Sequence, residues 1–249
     1  RIVYVANPGN PTGTYISNSE MTRLRDGLSA DVLLVIDSAY AEFVDAGDYS
    51  PGWELVDSGK DNVIMTRTMS KMYGLAGLRI GWAYASEPII EVLNKVRPGF
   101  NVNSAAIAAG IAAIEDLEHE EKTKAYNDKL KPWFEAQLID LGLELAPSVC
   151  NFSLIRFSGG ADQCQRVNDR LRENGLSVKP CGGSNLPDCM RITIGPEESL
   201  ELLVEVLQSL GWDRILIETV GAGQGEFAIA SVADRVMLVE GPDRGDIIQ

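Results

Sequence analysis

The sequence predicts an α/β protein, with a mostly parallel sheet in a large first domain and a smaller α+β domain after it. Four apolar runs of strand length lie at residues 2–5, 32–36, 63–67 and 79–84. Helical or loop material separates the first three runs, which favours parallel strands covered on both faces. The fourth run follows too soon for a crossover helix, so we expect it to pair antiparallel.

A loop dense in turn-forming residues follows the first run. Residues 6–13 read Ala-Asn-Pro-Gly-Asn-Pro-Thr-Gly, and two X-Pro bonds so close together restrict the backbone. We expect one of these bonds to be cis. The next helix is predicted at residues 19–28, where Met21, Leu24 and Leu28 recur at helical spacing.

The pattern changes at Ser104, where a long alanine-rich helix is predicted to begin. Its apolar stripe consists of Ile107, Ile111, Ile114 and Leu117. Pro132 is expected to break or restart this helix before residues 133–141, because proline lacks the N–H that a helix needs. Gly142 is the predicted stop.

A second group of elements predicts the smaller domain. These elements are a strand at 152–157, a helix at about 161–174 that ends at Gly175, a strand near 189–194, and a helix at about 197–210. The predicted organisation is a partial large domain at 1–97, a long linking helix at 98–131, a small domain at 132–211, and a tail at 212–249.

Composition and charge exclude several classes of function. A formal charge of −14 argues against nucleic acid as a partner, since phosphate backbones select basic surfaces. The four cysteines form no CxxC pair and His119 is the only histidine, so a metal site or a Ser/His/Asp triad lacks residues. Free thiols, and no apolar run of about 20 residues, predict a cytoplasmic protein outside the membrane. Because the sequence begins inside a strand-like run, we expect a fragment.

Residues 63–82 have the layout of a site for an anion and a reactive amine. Thr68, Ser70 and Arg79 can converge on one anion, because hydroxyls and a guanidinium suit a phosphate dianion. Lys71 lies where the predicted strand becomes a loop, and a partly desolvated lysine amine near a cation can attack a carbonyl. The alternative is a basic loop on the surface.

Three residues outside this stretch are further candidates. Asp37 and Tyr40 follow the second apolar run, at the strand end where an α/β sheet usually places its ligand. Arg191 lies in a predicted apolar strand, where a charge is rarely left unpaired. It either joins a structural ion pair or binds an anionic substrate.

Five short motifs occur along the chain in this order: Asn10-Pro-Thr-Gly13, Asp37-Ser-Ala-Tyr40, Thr68-Met-Ser-Lys71, Gly74-Leu-Ala-Gly-Leu-Arg79-Ile-Gly81 and Met190-Arg-Ile-Thr-Ile-Gly195. Together they resemble the class I and II aminotransferases of fold type I, which use pyridoxal 5′-phosphate. Within that class, residues 75–81, 97–103 and 151–156 look most like the histidinol-phosphate aminotransferases of histidine biosynthesis. The resemblance covers residues 1–210 and implies the fold of pyridoxal-phosphate-dependent transferases.

The resemblance implies catalytic roles for several residues. Lys71 would form the Schiff base with the cofactor, and would then move a proton between the substrate and the cofactor. Asp37 would pair with the pyridine nitrogen, so that the ring accepts electrons from the substrate. Tyr40 and Asn10 would hydrogen-bond the oxygen on the cofactor ring.

The resemblance also implies how the ligands are held. Thr68, Ser70 and Arg79 would bind the cofactor phosphate, and Arg191 would bind the carboxylate of the amino donor or the 2-oxo acid. The Asn10–Pro11 bond would be the cis bond. Because the family shares active sites between subunits, a homodimer is implied for the intact enzyme.

Parts of the family's cofactor site would lie upstream of Arg1. By the resemblance these are a glycine-containing phosphate loop, an aromatic residue that stacks on the pyridine ring, and a tyrosine contributed across the dimer. We therefore expect the chain alone to bind pyridoxal phosphate poorly and to transaminate little. We also expect an open sheet edge and exposed apolar helix faces.

The tail has a different resemblance. Residues 215–226 and 242–246 resemble an internal piece of the G-protein chaperones that act with cobalamin-dependent mutases. Apolar runs at 214–220 and 235–239 predict two strands there. The phosphate-binding loop with its lysine is absent, which argues against nucleotide binding by the tail alone.

Three readings of function stay open on the sequence. The first is an aminotransferase for histidinol phosphate and 2-oxoglutarate, present as a fragment. The second is another class I or II aminotransferase, or a phosphothreonine decarboxylase, with the same cofactor residues. The third is an inactive hybrid, or a nucleotide-binding module that acts through the tail.

Overall fold

The structure is a computed structural model that describes residues 1–59 and 62–210. The chain divides after Leu210 into two units, and the described residues belong to the first. They contain two four-stranded sheets. The strands predicted at 214–220 and 235–239 lie outside the described residues, as does the tail's resemblance.

The first sheet has the strand order β1-β2-β3-β4. Its strands are β1 (Ile2–Ala6), β2 (Leu33–Asp37), β3 (Val63–Thr68) and β4 (Gly81–Ala85). The first three are parallel, and β4 runs antiparallel to β3. Both predictions are confirmed. The fourth strand begins two residues later than expected, because Arg79 adopts a left-handed conformation with φ of 53°.

Two helices connect the parallel strands. The first, α1 (Asn18–Gly27), begins with a capping box in which Ser17 and Glu20 satisfy each other's backbone N–H groups. The second, α2 (Trp53–Asp57), is short and was not predicted. The apolar cluster between these helices and the sheet includes Met21, Leu34 and Ile36, each at most 1% exposed.

The helices after β4 differ from the prediction. They are α3 (Glu87–Val96), α4 (Ser104–Glu115) and α5 (Leu117–Asp140). Sequence reasoning missed α3. The predicted single helix from Ser104 is two helices, and the break lies at Asp116, whose side chain accepts a hydrogen bond from the His119 N–H and so caps α5.

The break predicted at Pro132 is wrong, because α5 passes through this residue without interruption. A helix tolerates one missing N–H when tertiary packing holds the segments on both sides. Leu130 and Phe134 flank the proline, and both are buried in one apolar core cluster. The predicted stop is confirmed, since Gly142 has φ of 73° and its N–H bonds the Ile139 carbonyl.

The second sheet is antiparallel and has the order β5-β6-β8-β7. Its elements are β5 (Glu144–Ala146), β6 (Phe152–Arg156), α6 (Gly160–Glu173), β7 (Lys179–Cys181), β8 (Leu186–Thr193) and α7 (Glu197–Ser209). The predicted strands at 152–157 and 189–194, and both predicted helices, are confirmed within a few residues. The three-residue strands β5 and β7 were missed. Phe134, Leu138, Ile155 and Met190 are fully buried at the centre of this core.

A broad apolar surface lies on α3 and α4. The expected stripe on α4 is solvent-exposed, with Ile107 at 48%, Ile111 at 56% and Ile114 at 52%. Among the strands of the described residues, β1 and β4 each have a neighbour on only one side. The expected open edges and apolar helix faces are therefore present. No helix among residues 1–59 and 62–210 is long and apolar enough to cross a membrane.

Candidate active site

A cleft of about 400 Å³ lies at the carboxyl ends of the parallel strands. Its lining consists of Ala6, Pro8, Asn10, Asp37, Ala39, Tyr40, Thr68, Ser70, Lys71, Ala76 and Arg79. Every residue that the sequence predicted for the cofactor is in this lining. Parallel strands end at the same edge of a sheet, and this edge brings together residues that are far apart along the chain.

The backbone around Asp37 is held by hydrogen bonds on both sides. Asp37 ends β2, and its carbonyl accepts a 3.0 Å hydrogen bond from the Asn7 N–H. The next residue, Ser38, is fully buried, and its hydroxyl donates to the Pro51 carbonyl at 2.7 Å while its N–H donates to Thr66 at 2.9 Å. The carboxylate is therefore presented to the cleft from a fixed backbone.

Tyr40 and Lys71 meet across the cleft. Tyr40 is 4% exposed, and its ring packs edge-on against Phe152 with 5.1 Å between centroids. The Lys71 Nζ lies 5.2 Å from the centroid of the Tyr40 ring. A cation at this distance is attracted by the ring's electrons. Lys71, Tyr40 and Asp37 thus line one cleft.

A tight turn after β3 positions Lys71. The Ser70 N–H donates to the Thr68 hydroxyl at 3.1 Å, the Gly74 N–H donates to the Lys71 carbonyl at 3.0 Å, and the Leu75 N–H donates to the Met69 carbonyl at 2.9 Å. Gly74 has φ of 67°, a conformation that favours glycine. These bonds hold the lysine backbone at the mouth of the cleft.

Three predicted anion ligands lie in the same lining. Thr68 and Ser70 come from the turn, and Arg79 arrives from the 3₁₀ turn Ala76–Leu78, where its Nη1 donates to the Ala76 carbonyl at 2.7 Å. The guanidinium keeps further donors for a ligand. Two hydroxyls and a guanidinium in one cleft are a suitable set for a phosphate group.

Arg191 lies on β8, outside the lining of the cleft, and reaches toward it. Its Nη1 donates to the Asn10 Oδ1 at 2.7 Å, and its guanidinium carbon lies 5.0 Å from the centroid of the Phe152 ring. Its Nε is buried and has no hydrogen-bond partner among residues 1–59 and 62–210. Of the ion pairs between described residues, none includes Arg191. The structural ion pair that the sequence left open is therefore absent from this part of the chain.

Sequence reasoning missed the residues that support this site. Phe152 packs against Tyr40 and lies beside Arg191, so it links the segment after β2 to the second sheet. Asn7 is 1% exposed, and its side chain bonds both the N–H and the carbonyl of Ile16. Asn7 precedes a proline in the turn-rich loop, which was a usable signal; nothing marked Phe152 apart from other core aromatics. Both Asn7–Pro8 and Asn10–Pro11 are cis, where one cis bond was expected.

Cys150 packs beside the aromatic residues of the site and remains a thiol. It is fully buried in a cluster with Tyr40 and Phe152. Burial raises the pKa of the Cys150 thiol to about 12, although the cations Lys131 and Arg191 act in the opposite direction. A thiol that stays protonated is a poor nucleophile, so Lys71 is the better candidate for covalent chemistry.

The end of the chain matches a family model of its own, different from the one that matches most of the chain. The family model described as methylmalonyl Co-A mutase-associated GTPase MeaB matches residues 190–249. Within the described residues, this match covers only the end of β8 and α7. The likeness agrees with the resemblance found for the tail from its sequence.

Several curated relatives that match most of this chain are histidinol-phosphate aminotransferases. The chain is 52% identical over 209 residues to the histidinol-phosphate aminotransferase of Paramagnetospirillum magneticum, covering 84% of this chain and 57% of that protein. It is 47% identical over 211 residues to the one of Rhodospirillum centenum, covering 85% and 57%. The chain therefore spans less than two thirds of the length of these relatives.

Solved structures of histidinol-phosphate aminotransferases are also similar to this chain. Histidinol-phosphate aminotransferase from Sinorhizobium meliloti, in complex with pyridoxal-5′-phosphate, is 31% identical with a TM-score of 0.75, covering 84% of this chain and 58% of that chain. The enzyme of the same name from Clostridium acetobutylicum has a TM-score of 0.74 at 21% identity, covering 84% and 63%, which shows a common fold. The family model described as aminotransferase class I and II matches residues 1–207. The chain therefore belongs to the class I and II aminotransferases.

Proposed function

We propose that this chain carries the pyridoxal 5′-phosphate site of an aminotransferase that transfers an amino group between histidinol phosphate, or a similar amino donor, and 2-oxoglutarate. One observation carries the proposal: an acid, a phenol, an amine and a set of phosphate donors from three separate segments line one cleft. The names of the relatives support the substrate. A cytoplasmic homodimer that acts in histidine biosynthesis is part of the same proposal.

The residues of the cleft fit this cofactor. A volume of about 400 Å³ is within the usual range for a small-molecule site. Thr68, Ser70 and Arg79 supply donors for a phosphate, and Asp37 supplies a carboxylate for a protonated ring nitrogen. When bound, pyridoxal phosphate supplies an aldehyde that condenses with amines and a ring that withdraws electrons from the substrate carbon.

Asp37 and Tyr40 are assigned the electrostatic roles. A carboxylate beside a pyridine nitrogen favours its protonated form, because an opposite charge raises the affinity for the proton. Asp37 is suited to this role because its backbone is fixed by Asn7 and Ser38. The Tyr40 hydroxyl and the Asn10 amide are assigned to the polar substituent of the ring, as both line the cleft.

Lys71 is assigned the covalent and proton-transfer roles. A lysine amine can form a Schiff base with an aldehyde, and Lys71 lies in the same lining as the phosphate donors. The Lys71 Nζ would also hold or release a proton near the reacting carbon of the substrate. The turn at residues 68–75 keeps the amine within the cleft during both tasks.

Arg191 is assigned to the substrate carboxylate. Its unpartnered Nε and its contact with Asn10 place free donors beside the cleft. A guanidinium binds a carboxylate through two parallel hydrogen bonds, which orient as well as attract. A buried, unpaired donor is costly, and a bound carboxylate would satisfy it.

Borohydride trapping tests the cofactor assignment. The full chain is incubated with pyridoxal 5′-phosphate, reduced with borohydride, digested and analysed by mass spectrometry. We expect the adduct on Lys71, its loss in Lys71→Arg, and its retention in the control Lys95→Arg, which changes an exposed lysine on α3. An adduct spread evenly over exposed lysines would contradict the assignment. Trapping detects weak binding, so it suits a chain that spans part of its relatives' length.

A second assay separates the substrate from the cofactor. Amino-group transfer to 2-oxoglutarate is compared for histidinol phosphate, an aromatic amino acid and O-phosphothreonine. Preference for histidinol phosphate supports the proposed substrate. Preference for an aromatic amino acid, or release of carbon dioxide from O-phosphothreonine, would overturn the substrate and leave the cofactor assignment intact.

A further inference from the structure

A buried ion pair lies behind the cleft, outside its lining. Arg67 Nη2 is 2.7 Å from Glu42 Oε1, and Arg67 Nε donates to the same oxygen at 3.2 Å. The two side chains are only 10% and 3% exposed. Neither residue belongs to the cleft, and the proposed function gives neither a role.

The pair joins two of the segments that line the cleft. Glu42 lies in the 3₁₀ turn Ala41–Phe43, which begins directly after Tyr40. Arg67 directly precedes Thr68 at the end of β3. The ion pair therefore connects the segment of Asp37 and Tyr40 to the segment of the predicted phosphate ligands and Lys71.

Regular pairing between β2 and β3 has ended where this connection is made. The register between β2 and β3 ends at Asp37 and Thr66, followed by the Ser38 N–H bond to the Thr66 carbonyl. Beyond it, no backbone hydrogen bond in the described part of the chain joins residues 39–44 to residues 67–75. Phe43 and Met72 belong to one apolar cluster there, but apolar packing is not directional.

The free-energy cost of burying this ion pair argues against a role in stability alone. Glu42 Oε2 is buried without a partner, so half of the carboxylate has lost its water without a replacement. Buried ion pairs can often be replaced by apolar residues without loss of stability. On the far side, the Arg67 guanidinium lies 5.7 Å from the centroid of the Trp82 ring, which restricts its orientation.

We propose that Glu42 and Arg67 are positioning residues that fix the spacing between Tyr40 and Thr68, and so hold the ring side and the phosphate side of the cleft in register. This inference rests on the proposed cofactor site. A directional, two-bond contact sets a distance and an angle that packing alone leaves free.

The test uses the full chain with two variants and a control. Glu42→Gln keeps an oxygen that accepts from Arg67 but removes the charge, and the double variant Glu42→Leu with Arg67→Met removes both charges together. The control is Arg156→Met with Asp188→Leu, which removes a 3.1 Å ion pair from the second sheet. The dissociation constant for pyridoxal 5′-phosphate is measured by absorbance, and thermal unfolding is followed in parallel.

The double variant is expected to unfold close to the wild-type temperature. It is expected to bind pyridoxal 5′-phosphate about tenfold more weakly, a loss similar to that seen when residues that support the ligands of a metal site are replaced. Glu42→Gln is expected to weaken binding by less, and the control to bind as the wild type does. Wild-type affinity in both Glu42 variants would overturn the positioning role, whether or not their stability changes.

Hydrogen exchange without any ligand gives an independent measurement. The inference predicts faster exchange in the double variant at the N–H groups of Phe43, Gly74 and Leu75, with β2 unchanged at Ile36. Unchanged exchange in both segments would overturn the inference. If the wild type shows no adduct at Lys71, the proposed function fails, and the exchange data alone decide whether the pair sets the spacing.

Discussion

Arg191 and Asn10 are 181 positions apart in the chain, and a 2.7 Å hydrogen bond joins them. Arg191 belongs to the second sheet, and Asn10 belongs to the loop that follows β1 and lines the cleft. The bond brings a guanidinium to the edge of the cleft without placing it among the phosphate donors. Arg191 and Arg79 are thereby assigned different anions.

Replacing Arg191 should separate binding of the substrate from binding of the cofactor. Arg191→Leu is expected to weaken 2-oxoglutarate binding about tenfold or more, because a hydrogen bond to a charged group contributes about 1.5–3 kcal/mol. The affinity for pyridoxal 5′-phosphate should change little. Spectral titration with each ligand measures both effects, and Arg156→Leu on β6 of the same sheet serves as the control. An equal loss for both ligands would show that Arg191 supports the cleft as a whole.

A methyl group at Gly13 should be strongly destabilising. A Cβ there would lie 2.1 Å from the Ser148 Oγ, and φ is +73°. Strain of this conformation and overpacking together predict that Gly13→Ala lowers the free energy of unfolding by about 3 kcal/mol. Urea denaturation measures the change. Gly47→Ala is the control, since nothing lies within 4 Å of its added Cβ; an equal effect in both variants would contradict the steric explanation.

Stability should fall at alkaline pH, in part because of Cys150. Its pKa is raised from 9.0 to about 12 by burial, so the thiol ionises first in the unfolded chain. Its contribution to stability is present below about pH 9 and is lost as pH rises from 9 to 12, at about 1.4 kcal/mol per pH unit.

Unfolding in urea at pH 8 to 11 checks this contribution. Cys150→Ala should make the decrease of stability with pH shallower than in the wild type. Val167→Ala removes buried atoms without a titrating group, so its slope should equal that of the wild type. Equal slopes in all three proteins would exclude ionisation of Cys150 as a cause.

The exposed stripe on α4 should tolerate charge. Ile107→Lys with Ile111→Lys is expected to leave the unfolding temperature nearly unchanged and to lower the fluorescence of a dye that binds apolar surfaces, because both side chains are about half exposed. Leu130→Lys is the contrast, since Leu130 is 1% exposed in the core and the variant should not fold. A large drop in unfolding temperature for the double variant would mean that the stripe is buried in the folded chain.

Secondary structure was predicted correctly where the local residue pattern agrees with the burial seen in the structure. The parallel strands were predicted because both faces of a buried strand are apolar, as in Val35 and Ile36, which point to opposite faces of β2. The break at Pro132 was predicted wrongly because tertiary packing around Leu130 and Phe134 outweighs one lost hydrogen bond. The helix α3 was missed although Ser86 at its N-cap and Pro88 in its first turn are start signals for a helix. None of its residues is buried, so no core position marked it.

The lining of the cleft was predicted from motifs, but its support was not. Asp37, Lys71 and Arg79 were identified because their residue types and order match the family. Contacts between distant segments leave no local signal, so the link between Phe152 and Tyr40 and the ion pair of Glu42 with Arg67 needed coordinates.

The loop after β1 is tied to both sheets. Asn7 donates from its N–H to Asp37, Arg191 bonds Asn10, and the Val149 N–H donates to the Gly13 carbonyl at 2.9 Å. A ligand that draws Arg191 away from Asn10 would release the middle of a segment whose two ends remain anchored. Under the proposed function, a substrate carboxylate that binds Arg191 would therefore change the hydrogen bonding of Asn10, the residue assigned to the cofactor ring. No other side chain would be needed between the two ligands.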